Sequence, residues 1–273
     1  MTEAKDGVPD APQRAVARSG RRDLLVLLAA GVGAVAFFRG ASWLINRATD
    51  DLGFIPVDDP PGFRRLSLVG STTGAIDPFA GVGASVEVAE TDDIIPEVDF
   101  CSALFGRPKF QPGVAPVAFF SDYNCPNCEL LAEDLNALEA EARGGVHLRR
   151  HEWPILGAAS ETSARAAIAA GRQGAQTEFN RRLQRTSFAP SEAYLRDVAQ
   201  SAGIDADRLL ADMASDATTR ELRTSAALVR RFAFPGTPAL VVGRTIVVGT
   251  IRTATLEALV RAEQSAGPPP GCR

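Results

Sequence analysis

FFSDYNCPNCELLAEDL, residues 119–135, closes an apolar run and opens a helical period, and it places two of the chain's four cysteines three positions apart at that junction. Upstream, residues 114–120 (VAPVAFF) form a short apolar run of the kind that becomes a buried central strand. Downstream, Leu130, Leu131, Leu135, Leu138 and Ala142 recur at helical spacing until Gly144-Gly145 stops the pattern. Cys125 and Cys128 therefore sit on one side of a first helical turn, close enough to bridge. A helix N-terminus presents unpaired N–H groups and a partial positive charge, which stabilise a thiolate and lower the pKa of the more exposed cysteine. Pro126 suits the first turn, where it forfeits no hydrogen bond. Cys125 is expected to be the accessible nucleophile, and Cys128, one turn in, the sulfur that resolves a mixed disulfide.

Working outward, residues 146–153 (VHLRRHEW) alternate and predict a second strand. His147 and His151 share one face of it by parity and read as strand-surface bystanders with no role. Residues 158–233, rich in Ala, Arg, Leu, Asp and Glu with breaks near 171–174, 189–190 and 203, predict consecutive helices and no strand. The Arg pairs at 149–150, 181–182 and 230–231 read as solvated faces. Residues 239–242 and 245–248, separated by Gly243-Arg244, predict a hairpin, and a closing helix follows over 253–264. The order is strand, helix, strand, helical block, hairpin, helix: an α/β sheet interrupted by helices, with no internal repeat. Upstream, 46–113 reads as a loop-rich tether with turn signals at 58–62, 70–74 and 81–83 and strand patches within 63–69 and 86–88. FCSALF, residues 100–105, reads as a short helix or turn.

The 273 residues carry a net charge of −4 and no basic block interleaved with aromatics, which sets nucleic acid aside as a partner. Residues 1–22 are polar and read as a disordered cytoplasmic N-terminus. Residues 24–38 are uncharged and mostly apolar; with Arg39 snorkelling and 40–45 completing the span, 23–45 reads as a transmembrane signal-anchor. Arg14, Arg18, Arg21 and Arg22 precede it, so the N-terminus stays inside and the rest is exported. The alternative is a cleaved signal: Gly20-Arg21-Arg22-Asp23-Leu24-Leu25 resembles a twin-arginine motif and Ala34-Val35-Ala36 a cleavage site. The expected location is the bacterial inner membrane with the domain in the periplasm, or the periplasm itself after cleavage.

The cysteine pair admits three chemistries. Zinc needs four ligands, and Cys101, Cys272, His147 and His151 are not spaced to supply them, so no metal is expected. A short structural staple is the bland reading in an exported domain. Redox catalysis is the third, and FPGTPA, residues 234–239, supports it. Thr237-Pro238 is a candidate cis peptide at a bend where backbone groups can pair with an extended chain. Taken alone, a proline at a strand start is structural.

Together, FFSDYNCPNC, the helical block and GTPALVVGRTIVVG resemble the thioredoxin-like proteins of the DsbA type over residues 114–265. The resemblance implies a thioredoxin-like α/β fold (114–266) whose sheet is split by a helical insertion (158–233), followed by a tail (267–273). It also implies dithiol–disulfide exchange on exported proteins, with Cys125 as nucleophile and Thr237 and Pro238 facing it. Members of that family often carry His between the cysteines; here the dipeptide is Pro126-Asn127, so thiolate stabilisation rests on the helix terminus. Asp122 and Glu129 flank the motif, either tuning the pair or standing as a loop acid and a helix-start acid. Cys101 and Cys272 are expected to form a structural clasp; two free thiols or a second redox pair are the alternatives. The function expected is a dithiol oxidase acting on unfolded or cysteine-containing exported proteins, served by a partner that reoxidises it, held at the membrane through 24–45. A reductase or isomerase for one client, or a non-catalytic membrane-tethered peptide-binding module, are the alternatives. No organic cofactor is implied, since no dinucleotide or phosphate loop occurs.

Overall fold

Two short strands come first, β1 (Phe54–Pro56) and β2 (Arg64–Leu66), then α1 (Phe100–Phe105), β3 (Ala115–Ser121), α2 (Pro126–Glu141) and β4 (Val146–Glu152). Among the described residues five helices follow: α3 (Ala158–Gly171), α4 (Gln176–Leu183), α5 (Glu192–Ser201), α6 (Ala206–Met213) and α7 (Asp216–Phe232). The hairpin β5 (Ala239–Val242) and β6 (Thr245–Val248) and the helix α8 (Thr253–Ala266) complete the chain. The computed structural model describes residues 52–67, 100–106, 113–142, 145–183, 190–267 and 272, all within one unit, Asp51–Arg273. The expected cytoplasmic segment 1–22, the anchor or signal 23–45 and the strand patch 86–88 lie outside the described residues. Among the described residues no helix is long and apolar enough to cross a membrane.

The sheet runs in the order β1-β2-β6-β5-β3-β4. β3 pairs parallel with β4 and antiparallel with β5, so it is central and buried along its whole length. Its alternation divides the core. Val117 and Phe119 point to one face with Leu240, Val242 and Val247, where Leu131, Leu135, Leu256 and Leu259 of α2 and α8 cover them. Ala118 and Phe120 point to the other with Val241 and Ile246, under Leu104, Phe105, Leu228 and Phe232 of α1 and α7. The first four inserted helices build their own cluster from Ala166, Ala170, Phe179, Leu183, Leu195 and Leu209, and Tyr123 joins it from the turn after β3. Side chains of Ser191, Asp205 and Ser215 cap α5, α6 and α7, as their residue types favour.

Residues 52–67 extend the sheet, with β2 inside the strand patch expected at 63–69 and β1 outside any expected strand. β1 pairs antiparallel with β2, and β2 pairs parallel with β6 through Arg64↔Thr245 and Arg65↔Ile246. Side-chain contacts hold them there. Arg64 donates from Nη2 to Glu263 Oε1 at 2.8 Å and from Nε to Thr245 Oγ1 at 2.9 Å, and its guanidinium lies 3.5 Å from the Phe54 ring centroid. Glu263 is buried and also accepts from Thr245 Oγ1 (2.7 Å) and Arg244 N (3.2 Å). Gly243, at φ +55°, leaves room for this carboxylate: a Cβ there meets Glu263 Oε2.

Likewise α1 is part of the core. His147 and His151 are not surface bystanders; Nε2 of each donates to a carbonyl of α1, Phe105 O at 2.9 Å and Leu104 O at 2.8 Å. The last carbonyls of a helix lack partners within it, and these rings supply them. His151 is buried, stacked on Phe120 with centroids 4.5 Å apart, and its Nδ1 lies 3.3 Å from Ser225 Oγ. Burial holds its pKa down at about 3, outweighing the Leu104 hydrogen bond. Cys101 on the same helix is bonded to Cys272, with Cα atoms 5.2 Å apart.

Candidate active site

β3 delivers the chain at its C-terminal end into a tight turn, Cys125 N donating to Asp122 O at 3.2 Å, and α2 starts immediately after. Cys125 is the N-cap, in extended conformation, and Pro126 occupies the first helical position. Cys128 N donates to Cys125 O at 3.0 Å, closing the first turn with both sulfurs on one side and bonded to each other. Cys125 is 6% exposed and Cys128 not at all, packed with Leu131 and Leu135. Cys125 is therefore the more exposed of the two, and it stands at the N-terminus of α2. Asn127 and Glu129 are half-buried and Pro126 exposed around the pair. No cation stands in the dipeptide.

The antiparallel pairing of β3 and β5 decides what faces the cysteines. Phe120 pairs with Ala239, so Ser121, the last residue of β3, and Pro238, just before β5, meet at the same end of the sheet. Thr237–Pro238, a cis peptide, thus borders the Asp122–Cys125 turn. Both residues are buried, and Pro238 O accepts from Gly249 N at 2.9 Å. Among the described residues Thr237 makes no backbone–backbone hydrogen bond outside the helices and strands.

Asp122 is not a solvated loop acid. Its side chain is 2% exposed and accepts four hydrogen bonds: Oδ1 from Asn124 N (2.7 Å) and Ser160 Oγ (2.6 Å), Oδ2 from Ile155 N (2.7 Å) and Leu156 N (2.9 Å). Every lone-pair position of a carboxylate is then occupied.

A second buried acid went unread in the sequence. Tyr123 Oη donates to Glu152 Oε1 at 3.3 Å, joining the redox turn to the end of β4. Burial pushes the Glu152 carboxyl up to about 8, against the pull of hydrogen bonds from Tyr123 and Gln176 and the charge of Arg150. Burial, then the Glu152 charge, pushes the Tyr123 phenol well above its ordinary value. Glu152 stands at the end of a strand pattern, where an acid reads as solvated; its only signal was parity, which turns it inward with Arg150. Among the described residues no cluster of His, Cys, Asp and Glu forms a metal site.

Against known proteins, residues 116–261, just over half of the chain, match a family described as the DSBA-like thioredoxin domain. Among solved structures, a thioredoxin-like oxidoreductase from Silicibacter pomeroyi DSS-3 is 34% identical, with 60% of this chain and 97% of that chain covered and a TM-score of 0.53. The thiol-disulfide exchange protein alpha-DsbA2 from Wolbachia pipientis is 25% identical over 54% of this chain and 80% of its own, TM-score 0.50. A periplasmic thioredoxin-like protein from Salmonella enterica serovar Typhimurium, 22% identical over 61% and 96%, TM-score 0.50, shares the fold. No curated protein matches the chain.

Proposed function

The chain belongs to the DSBA-like thioredoxin domain family of thiol–disulfide oxidoreductases, and on that premise we propose that it is an exported dithiol oxidase whose nucleophile is Cys125. The observation that carries this is the Cys125–Cys128 pair in the first turn of α2, bordered by the Thr237–Pro238 bend. A client thiolate attacks Sγ of Cys125, forming a mixed disulfide and breaking the Cys125–Cys128 bond; Cys128 leaves as a thiolate and takes a proton. A second client thiolate attacks the client sulfur, forming the client's disulfide and expelling the Cys125 thiolate. The protein is left with two reduced cysteines, and a partner oxidant must accept those two electrons to restore the pair. Thr237 and Pro238 hold the client chain as a short strand across the site. The oxidising direction rests on the helix terminus, which favours the Cys125 thiolate and so the reduced form. Pro126, Asn127 and Glu129 adjust that balance.

Residues 23–45 serve as the membrane anchor, or as a signal removed on export, and place the redox domain in the periplasm; an oxidising compartment is also what the Cys101–Cys272 bond requires. The test is an alkylation-shift titration of the Cys125–Cys128 couple in glutathione buffers, with Cys125→Ser as control. A potential near about −120 mV supports the oxidase; one near about −270 mV makes the protein a reductant or isomerase. If Cys125→Ser still oxidises a reduced substrate, the nucleophile is misassigned; if wild type binds peptide but exchanges nothing, the pair is a staple beside a binding groove.

A further inference from the structure

The carboxylate of Asp122 joins its own turn to a stretch of chain 33 to 38 residues on. Asn124, one residue before Cys125, donates to Oδ1; Ile155 and Leu156, in the connection from β4 to α3, donate to Oδ2; Ser160, in the first turn of α3, donates to Oδ1. The main chain of Asp122 meanwhile accepts from Cys125 N. The amides of Cys125 and Leu156 therefore bond the same residue, one to its carbonyl and one to its carboxylate. Leu156 is one of few large apolar side chains left exposed, at 47%, and it stands at the edge of the redox turn. An exposed leucine gains nothing from solvent. Its main chain, by contrast, is fixed by a charge-assisted hydrogen bond, a strong kind.

From this juxtaposition we infer that Asp122 is a positioning residue for disulfide exchange: its carboxylate fastens the first helix of the insertion to the redox turn and so holds Leu156 beside Cys125, where it packs against an apolar side chain of the client flanking the client's cysteine. The role rests on the exchange reading given above. It makes Asp122 act through binding of the client chain, and not through the sulfur chemistry. A small dithiol reaches Cys125 without touching Leu156; an unfolded chain does not.

The experiment compares the full-length protein with Asp122→Asn, Leu156→Ser and the double variant, each oxidising two substrates: dithiothreitol, and an unfolded peptide with two cysteines flanked by leucines. Asparagine keeps the shape but replaces one of the two acceptor oxygens with NH2, so one pair of donors loses its acceptor and the junction between the redox turn and residues 155–160 is broken. For the peptide, each single variant is expected to raise KM roughly tenfold with kcat little changed, and the double variant to fall short of the product of the two. With dithiothreitol all four proteins are expected to react alike. Unchanged peptide KM in Asp122→Asn overturns the inference, as do multiplicative effects in the double variant or equal losses on both substrates, which mark a general loosening. If Asp122→Asn does not fold, Ser160→Ala takes its place, deleting one of the four bonds. A smaller rise in peptide KM, again sub-additive with Leu156→Ser, upholds the role, and no rise overturns it. A wild type that oxidises neither substrate removes the exchange reading and the positioning role with it.

Discussion

Two buried titratable side chains at the end of β4, one residue apart, carry opposite proton linkages. His151 is held at about 3 in the folded protein against 6.5 when exposed; unfolding takes up a proton below 6.5, so its contribution to stability is present above that pH and fades as pH falls toward 3. Glu152 is held at about 8 against 4.5; the folded state keeps a proton that the unfolded chain has lost, so stability falls as pH rises from 4.5 to 8. Between 4.5 and 6.5 the two slopes, each about 1.4 kcal/mol per pH unit, cancel. Above 6.5 only Glu152 acts. Urea unfolding is therefore expected to show the wild type losing on the order of 2 kcal/mol between pH 6.5 and 8 through this group, a loss that Glu152→Gln removes. An identical decline in Glu152→Gln shows that another group carries the proton. None of this was legible in VHLRRHEW. Parity set His147 and His151 on one face, but not that α1 would lay its terminal carbonyls against it, 42 and 47 residues back along the chain. Asp122 was hidden for the same reason, since its partners lie up to 38 residues away.

At the level of elements, what repeats locally could be read and what pairs at long range could not. The apolar run of β3, the heptad-like spacing of α2 and the two β-branched runs of the hairpin each announce their own period, and their observed bounds differ from expectation by a residue or two. β1 and β2 are three residues each, one ending in Pro56; β2 lay within the alternating patch 63–69, but its pairing with β6 and its ion pair across 199 positions did not show. The side chain of Glu263 has no exposure, so removing its nearest cation leaves a buried charge under-compensated. Arg64→Leu is expected to cost about 3 kcal/mol, somewhat less if Thr245 and Arg244 take up the slack, and to speed amide exchange in 54–56 and 64–66 ahead of β3 and β5. Unaltered stability and protection would assign the docking of β2 to its backbone pairing with β6 alone. Gly243→Ala tests the same anchor from the turn. Its methyl group would displace Glu263 at a positive φ that disfavours alanine, and a Tm below that of wild type is expected.

For the molecule as a whole, the two disulfides stand in different relations to the fold. Cys125 and Cys128 enclose two residues at the rim of the site, whereas Cys101 and Cys272 enclose nearly the entire redox domain, being 171 positions apart. Closing so long a loop in the unfolded chain costs entropy that the chain-entropy model puts at about 5 kcal/mol, an upper figure. Both clasp cysteines sit in the apolar layer of Phe63, Phe100 and Phe232, away from the helix N-terminus that activates Cys125, and His147 and His151 also hold α1. The clasp should therefore contribute stability without taking part in exchange. Cys101→Ser/Cys272→Ser is expected to unfold with roughly 2–5 kcal/mol less free energy, yet to oxidise substrate and titrate at Cys125–Cys128 as wild type does. In graded glutathione the Cys125–Cys128 bond should open first, since a structural bridge lies below about −300 mV. Mass spectrometry of the non-reduced protein, taken across that titration, distinguishes the two: a 101–272 cross-link persisting after 125 and 128 are alkylated is the expected result. Simultaneous opening, or a double serine variant that loses exchange, would instead make Cys101 and Cys272 a second redox pair passing electrons to the first.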